Sequence, residues 1–186
     1  MKLNLGCGGE RPEGYTNVDG WPGCKPDILL DLFRFPWPWE DSSVEEIICS
    51  HILEHVPHQV EGFPGDGLVG WMNECWRILK PGGLLHVAWP HHQSDCAFVD
   101  PTHTRFITQD TFQYGNRHWR ILNLRNADYA GFQCDFSYEG EGGRLFSHRD
   151  YMKDLPQEEK QRIVTREWNV AFDLQGVLFA HKPVRE

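Results

Sequence analysis

The sequence lacks long apolar runs and concentrations of positive charge. No stretch approaches the roughly 20 apolar residues that a membrane-spanning helix needs, so no membrane contact is expected. The 18 lysine and arginine residues are outnumbered by 27 aspartate and glutamate residues, which gives a net charge of −9. Because duplex-binding proteins normally present a basic face, nucleic acid is not expected as a partner.

Paired cysteines and a secretion signal are also missing. The six cysteines are scattered, and no two of them have the C-x-x-C spacing. This pattern indicates reduced thiols rather than a disulfide framework. The segment MKLNLG enters a predicted strand at once and shows no signal-peptide pattern, so a cytoplasmic protein is expected.

The apolar pattern that is present predicts an α/β protein. A continuous apolar stripe at helical spacing predicts a helix from about Gly67 to Lys80, which the segment KPGG ends. Thr108 is a plausible N-cap of a short helix. The third strand is apolar enough to be buried on both faces. Five early strands are predicted, at Lys2–Leu5, Tyr15–Asp19, Asp27–Leu32, Glu45–Ser50 and Leu84–Pro90.

The last third of the chain predicts two more strands, in the segments GFQCDFSYEGEGG and NVAFDLQGVLFAHKP, which look like an antiparallel addition. Strands that are joined through a helix to a further strand imply a parallel sheet. The expected fold class is therefore α/β, with a doubly wound, mostly parallel sheet and an antiparallel C-terminal edge.

A glycine-rich turn, LNLGCGG, follows the first strand. Glycine residues let a ligand approach the backbone N–H groups because no Cβ atom blocks the way. In open α/β sheets, ligands lie beyond the carboxyl ends of the strands. Asp19 ends the second strand and is placed to accept hydrogen bonds from two ribose hydroxyl groups. Gly6, Gly8 and Asp19 therefore predict a nucleoside site.

Two common nucleotide motifs do not fit this turn. Arg11 stands where the third glycine of G-x-G-x-x-G should be, and Asp19 follows Gly8 by 11 residues, whereas a dinucleotide fold needs about 20. A phosphate-binding G-x-x-x-x-G-K motif is absent as well. The expected ligand is a nucleoside without a pyrophosphate. The segment GERPEGY also predicts a truncated first crossover, too short for an ordinary helix.

Five motifs follow one another in a known order: LNLGCGG, NVD, DILLDL, EEIICSHILEHV and ECWRILKPGGLLHVAWP. In this order they resemble class I S-adenosylmethionine-dependent methyltransferases, most closely the small methyltransferase-11-like group. The resemblance covers residues 1 to about 112. It implies a Rossmann-like domain that uses S-adenosylmethionine as its cofactor. Residues 1–186 are then one domain, with a cofactor-binding core at 1–112 and a mixed part at 113–186 that covers the substrate.

The resemblance also implies roles for individual residues. Asn4 departs from the family, which usually has an acidic residue two positions before G-C-G that orients the loop and the methionine ammonium group. The implied cofactor contacts are Leu5, Gly6, Cys7 and Gly8 to methionine and ribose, Asp19 to the ribose hydroxyl groups, Asp31 and Leu32 to adenine, and Ser50 and His51 to the methionyl chain.

Ten histidines are unusually many, and several follow strands four and five. Most of them have an ordinary interpretation as surface or hydrogen-bonded residues. An acid–base role is the second interpretation, because imidazole titrates near neutral pH and can take a proton from a methyl acceptor. The catalytic candidates are His91 and His103, with Asp100 as an orienting residue.

A metal site is the third interpretation, because His51 and His55 are four residues apart on a predicted helix. No H-E-x-x-H motif or cysteine pair supports it, and no residue is assigned as a metal ligand. The tryptophans at 37, 39, 89 and 119 could wall an acceptor pocket, although packing is the commoner role of such residues.

The expected function is methyl transfer to nitrogen or oxygen of a small-molecule or peptide acceptor. The proline-proline-aromatic block that DNA amino-methyltransferases carry after strand four is absent, since CSHIL stands there. Two alternatives remain open: a non-catalytic module that binds S-adenosylmethionine or S-adenosylhomocysteine, and a histidine-ligated, metal-dependent enzyme.

Overall fold

A computed structural model describes residues 1–146, 154–164 and 173–183, with the side chains of 139–146 excepted. Strands β1 to β7 span Lys2–Leu5, Thr16–Asp19, Ile28–Leu29, Val44–Ser50, Leu79–Pro90, Phe136–Phe146 and Asp173–Ala180. In the described part of the chain they form one sheet in the order β3-β2-β1-β4-β5-β7-β6. Strands β1 to β5 are parallel, and β7 runs antiparallel to β5 and β6. The predicted fold class is confirmed.

The helices are few and mostly short. The described residues form four α-helices, α1 to α4, which span Gly67–Ile78, Cys96–Val99, Arg117–Leu124 and Gln157–Val164. Short 3-10 helices lie at Pro22–Cys24, Leu53–His55, Gln109–Gly115 and Tyr129–Gly131. Among the described residues, no helix combines the length and the apolar character that crossing a membrane requires.

Helix α1 packs the predicted apolar stripe against the sheet. Asp66 caps its start by accepting a hydrogen bond from the Leu68 amide at 3.0 Å. The helix ends at Ile78, two residues earlier than predicted, because Leu79 adopts an extended conformation and begins β5. The ammonium group of Lys182 then donates to the carbonyl oxygens of Arg77 and Leu79 at this end.

The third strand differs most from its prediction. It covers two residues only and lies at the edge of the sheet rather than between neighbours. Leu29 is 60% exposed, so the expectation that this strand is buried on both faces is wrong. Apolar composition does not separate an edge strand from a central one, because both carry apolar side chains on the face that meets the core.

The first crossover is truncated, as predicted. Residues 6–15 connect β1 to β2 without a helix. The connection from β3 to β4 has no α-helix either. Its aromatic residues fill the space beside α1 instead. Trp37 is buried and lies edge-on to Trp71 with ring centroids 5.9 Å apart. Trp89 is buried against Phe112, so packing is the correct interpretation for both tryptophans.

The segment after the core packs on α1. The Asn73 side chain donates to the Gly131 carbonyl oxygen and accepts from the amides of Gln133 and Cys134. This places residues 131–134 beside α1 at the start of β6. The second C-terminal strand begins at Asp173, and residues 169–172 of its prediction lie outside the described residues. The proposed substrate cover stays a prediction.

Candidate functional site

The topology brings the predicted site residues to one edge of the sheet. Strands β1, β2, β4 and β5 are parallel, so their carboxyl ends point the same way. Strands β2 and β3 lie on one side of β1, and β4 and β5 lie on the other. The carboxyl edge between β1 and β4 is therefore the topological switch point of the sheet. The glycine turn follows β1, Asp19 ends β2, and His51 and His91 follow β4 and β5.

The glycine turn is shaped mainly by contacts within the protein. The amides of Gly6 and Cys7 both donate to the Val18 carbonyl oxygen, at 2.8 and 3.1 Å. These two amides are therefore already used within the protein, and the contacts predicted between Gly6 or Cys7 and a cofactor stay predictions. Gly6 has a φ angle of +66°, and an added Cβ atom would lie 2.1 Å from Cγ1 of Ile52, so both the backbone conformation and the Ile52 side chain disfavour any other residue here.

Gly8 is the part of the turn that is open. Its φ angle is +49°, and an added Cβ atom would meet no atom within 4 Å. Its amide donates to the Asp19 carboxylate at 2.9 Å, and the second oxygen of this carboxylate accepts from the Trp21 amide at 2.8 Å. Asp19 is thus held in place directly beside the open surface of the turn.

Asn4 supports the turn from behind. Its side-chain amide donates to the Glu10 carbonyl oxygen at 3.2 Å and to the Asn17 side chain at 3.0 Å. Asn17 in turn donates to the Asp27 carboxylate. Asn4 therefore orients the loop through these two hydrogen bonds. It is buried and uses both amide hydrogens within the protein.

Two residues near the turn had no role in the sequence prediction. Trp21 is 66% exposed, and its backbone amide donates to the Asp19 carboxylate. Arg11 reaches from the turn to the Cys24 and Lys25 carbonyl oxygens, and its guanidinium also donates to Cys7 Sγ at 3.1 Å. The available signal for Trp21 was an aromatic residue two positions after the acidic residue.

The remaining predicted cofactor residues lie along the same edge. Asp31 is exposed, and one of its oxygens accepts from the Phe33 amide at 2.9 Å, which leaves the other for a ligand. Ser50 is exposed at the end of β4. Leu5, Cys7 and Leu32 are buried, so their side chains support the edge rather than cover it. Their contacts with a cofactor stay predictions.

His51 is an ion-pairing residue in this structure. Its ring contacts Asp173 Oδ2 at 3.4 Å and Glu54 Oε1 at 3.2 Å. These carboxylates, Asp173 first and Glu54 second, raise the pKa of His51 to about 10. Its φ angle of +54° is rarely adopted by residues other than glycine, and such backbone conformations cluster at functional sites.

The His51 ion pairs predict a pH-dependent stability. Because the pKa is raised from its ordinary 6.5 to about 10, this contribution is complete below pH 6.5 and is lost as pH rises through 10. The ring is 44% exposed, which limits the contribution to about 1 kcal/mol. Urea unfolding from pH 6 to 10 should show a steeper loss for the wild type than for His51→Gln. His118→Gln, exposed on α3, should follow the wild type, and parallel curves for all three proteins would contradict the assignment.

His91 is poorly placed to take a proton. It is 3% exposed, and its Nδ1 accepts a hydrogen bond from the Gln93 amide at 3.1 Å, so the lone pair is occupied. Burial and the neighbouring His92 ring lower the pKa of His91 to about 4. The neutral ring stacks on His92 with centroids 4.4 Å apart. This geometry does not support His91 as a catalytic base.

His103 has the opposite arrangement. Its Nδ1 lies 3.0 Å from the Ala97 carbonyl oxygen, which can only accept, so Nδ1 carries the hydrogen and Nε2 keeps its lone pair. The predicted orienting residue, Asp100, lies 4.0 Å from Nε2, beyond hydrogen-bond distance. Ala97 therefore orients His103, and the role predicted for Asp100 is corrected.

His55 and Glu54 complete this group. The rings of His55 and His103 meet edge-on with centroids 4.7 Å apart. Within the described residues, donor atoms of Glu54, His55 and His103 all lie within 4.8 Å of one another. The hypothesis of a metal site paired His55 with His51, whereas the structure pairs it with His103. The sequence analysis missed Glu54, although its position after β4 was a signal.

Comparisons with known proteins identify the fold. No protein-family model matches the sequence, and a search of curated proteins finds no match. Among solved structures, a SAM-dependent methyltransferase from Archaeoglobus fulgidus superposes with a TM-score of 0.59 and 16% identity, over 96% of this chain and 85% of that chain. The cyclase SpnF gives a TM-score of 0.54 and 13% identity, over 98% and 74%.

A third similar structure is phosphoethanolamine N-methyltransferase 1 from Haemonchus contortus, in complex with phosphoethanolamine and S-adenosylhomocysteine. Its TM-score is 0.54 at 9% identity, over 100% of this chain and 40% of that chain. The chain therefore has the fold of class I S-adenosylmethionine-dependent methyltransferases. Identities this low establish the fold, and the cyclase shows that one fold serves different reactions.

Proposed function

We propose that this protein transfers the methyl group of S-adenosylmethionine to nitrogen or oxygen of a small-molecule or peptide acceptor. The observation that carries the proposal is the Gly8–Asp19 contact, at 2.9 Å, at the switch point of the sheet. A carboxylate beside an open glycine turn at this position suits the ribose of an adenosine.

The residues along the edge fit the parts of such a cofactor. Asp19 accepts hydrogen bonds from the ribose hydroxyl groups, with Trp21 beside it, and the free oxygen of Asp31 accepts one from the adenine amino group. Ser50 and His51 border the methionyl end. When bound, the cofactor supplies a methyl group on a positively charged sulfur, and the protein mainly positions the acceptor in line with it.

The acceptor side is assigned to the group around His103. Its Nε2 lone pair is unused by protein partners and can receive the proton that an amine or hydroxyl acceptor gives up. The net charge of −9 favours a neutral or cationic acceptor over nucleic acid. A small acceptor is also consistent with the phosphoethanolamine bound by one structural neighbour.

A thermal melting experiment tests cofactor binding directly. S-adenosylmethionine or S-adenosylhomocysteine at 100 times its dissociation constant should stabilise the protein by about 2.7 kcal/mol. NAD and ATP should give no shift, because the turn lacks the third glycine and the phosphate-binding motif. A shift with NAD alone, or no shift with any of the four, would overturn the proposal.

A non-catalytic cofactor-binding module is the second candidate. The occupied lone pair of His91 favours it, since one of the two predicted bases is unsuited to accept a proton. Both candidates predict the melting shift. They differ in whether radiolabelled S-adenosylmethionine passes its methyl group to any member of an amine, phenol and peptide acceptor panel.

A further inference from the structure

We propose that Glu54, His55 and His103 form a binding site for one divalent transition-metal cation of the Zn²⁺ type. One donor atom from each residue lies within 4.8 Å of the others. Two of the residues come from the 3-10 turn after β4, and His103 comes from the segment after α2. The site stands on these residues alone. A cation bound there would take the His103 Nε2 lone pair, so His103 can accept a proton from a methyl acceptor only in the metal-free protein.

Glu54 provides the observation that points most directly to a bound cation. Its side chain is 3% exposed. One carboxylate oxygen contacts the His51 ring at 3.2 Å, whereas the other, Oε2, is buried and has no hydrogen-bond partner. Buried carboxylate oxygens normally have a partner, because loss of hydration is otherwise uncompensated. A cation beside the two histidines would supply it.

The ring of His103 is already in the tautomer that binds a metal. The Ala97 carbonyl oxygen fixes the hydrogen on Nδ1 at 3.0 Å, which leaves the lone pair on Nε2. Metal-binding histidines generally donate their other ring N–H to a carbonyl or carboxylate group in this way.

The ring of His55 is fixed through two further residues. The Thr102 hydroxyl donates its hydrogen to Asp100 at 2.7 Å, so its oxygen accepts from His55 Nδ1 at 3.0 Å. His55 therefore also carries its hydrogen on Nδ1 and keeps the Nε2 lone pair. This gives Asp100 and Thr102 a definite role, which is to position His55 as a ligand.

The two segments that carry the ligands are locked together. The amides of Thr104 and Arg105 both donate to the Glu54 carbonyl oxygen, at 2.8 and 3.2 Å. The Arg105 guanidinium donates to the carbonyl oxygens of Val56 and Pro57. The His103 segment is therefore held directly beside the turn that carries Glu54 and His55. The backbone contacts therefore keep the segments that carry the three ligands side by side.

The donor set selects the kind of cation. Two imidazole nitrogens and one carboxylate suit Zn²⁺, Co²⁺ or Fe²⁺ better than Mg²⁺ or Ca²⁺, which prefer oxygen ligands. Metal–ligand bonds of about 2.0–2.1 Å place tetrahedral donor atoms roughly 3.3–3.4 Å apart, so the site must contract from its 4.8 Å limit. Three protein ligands leave a fourth position for water or an acceptor.

A second group of potential ligands, Cys7, Asp19 and Cys24, is the main competitor. Its donors already have partners within the protein. Arg11 donates to Cys7 Sγ, and both oxygens of Asp19 accept backbone amides. Cys24 Sγ lies 3.0 Å from the Trp21 carbonyl oxygen. The experiment must nevertheless separate the two groups, because thiolates bind Zn²⁺ tightly.

The test is a titration with Zn²⁺, and separately with Co²⁺, of protein purified without a histidine tag and stripped with a chelator. The wild type should bind one cation, and the visible spectrum of bound Co²⁺ should lack thiolate charge-transfer bands. Glu54→Gln and His103→Ala should each weaken binding by more than about 100-fold, and Thr102→Val by about 10–100-fold. His58→Gln and Cys24→Ser should bind as the wild type does.

Circular dichroism identifies any variant that fails to fold. If Glu54→Gln or His103→Ala does not fold, Thr102→Val still tests the site, because the substitution is conservative and Thr102 is exposed. Binding that survives Thr102→Val and His103→Ala but disappears in Cys24→Ser would overturn the proposal, as would a wild type that binds neither cation. Loss of binding in the Glu54, His103 and Thr102 variants alone would support it. A failed melting shift with S-adenosylmethionine would contradict only the proposed methyl transfer.

Discussion

Asp19→Ala is expected to weaken S-adenosylhomocysteine binding by about 100- to 1,000-fold. In the proposed function the carboxylate accepts hydrogen bonds from two ribose hydroxyl groups, and each hydrogen bond to a charged group contributes about 1.5–3 kcal/mol. A loss of about 3–4 kcal/mol corresponds to that change in affinity. The variant also leaves the Gly8 and Trp21 amides without their acceptor, which loosens the turn. Calorimetric titration measures the affinity.

Three further variants separate these effects. Asp19→Asn keeps one acceptor oxygen and most of the shape, so it should fall between Asp19→Ala and the wild type. Asp31→Ala should cost about tenfold, because one hydrogen bond to adenine is lost. Asp110→Ala, which is exposed on a 3-10 helix, should bind as the wild type does. Equal affinities for Asp19→Ala and Asp110→Ala would show that Asp19 does not hold the ribose.

Gly6→Ala is expected to destabilise the protein by about 2–4 kcal/mol. The new Cβ atom would lie 2.1 Å from Cγ1 and 2.5 Å from Cδ1 of Ile52, and overpacking of this kind typically costs about 1–3 kcal/mol. The φ angle of +66° adds roughly 1 kcal/mol for a residue with a side chain. Urea unfolding followed by circular dichroism measures the change.

The matched control is Gly9→Ala, three residues along the same turn. An added Cβ atom there meets nothing within 4 Å, and the φ angle is not positive, so stability should stay within about 0.5 kcal/mol of the wild type. The double variant Gly6→Ala/Ile52→Ala should recover the steric part of the loss relative to Ile52→Ala alone. If Gly6→Ala were as stable as Gly9→Ala, the packing role of Gly6 would be wrong.

The strongest periodic patterns in the sequence predict the central parts of the fold correctly. Strand β1 matches its predicted bounds, and the apolar stripe of α1 predicts the face that packs on the sheet. Strand β3 shows the limit, because its apolar residues do not reveal that it lies at an edge. Position in the sheet depends on long-range pairing, which local pattern does not encode.

The candidate site is also predictable from the sequence only in part. The sequence predicts the position of Asp19, because it is the last residue of β2 and the end of this strand can be read from the sequence. The partners of the histidines cannot be read this way. Whether His91 or His103 keeps a free lone pair depends on which backbone group, Gln93 N–H or Ala97 C=O, meets Nδ1. That choice is set by the loop geometry after β5, and it reverses the roles of the two residues.

The central claim is that the open glycine turn and Asp19 hold an adenosine bearing a methylated sulfur. A crystal structure of the protein grown with S-adenosylhomocysteine tests this most directly. We expect the ligand at the carboxyl edge between β1 and β4, with its ribose hydroxyl groups on the Asp19 carboxylate and its adenine beside Asp31. A ligand bound elsewhere, or a saturated crystal in which Asp19 still contacts only Gly8 and Trp21, would contradict the account.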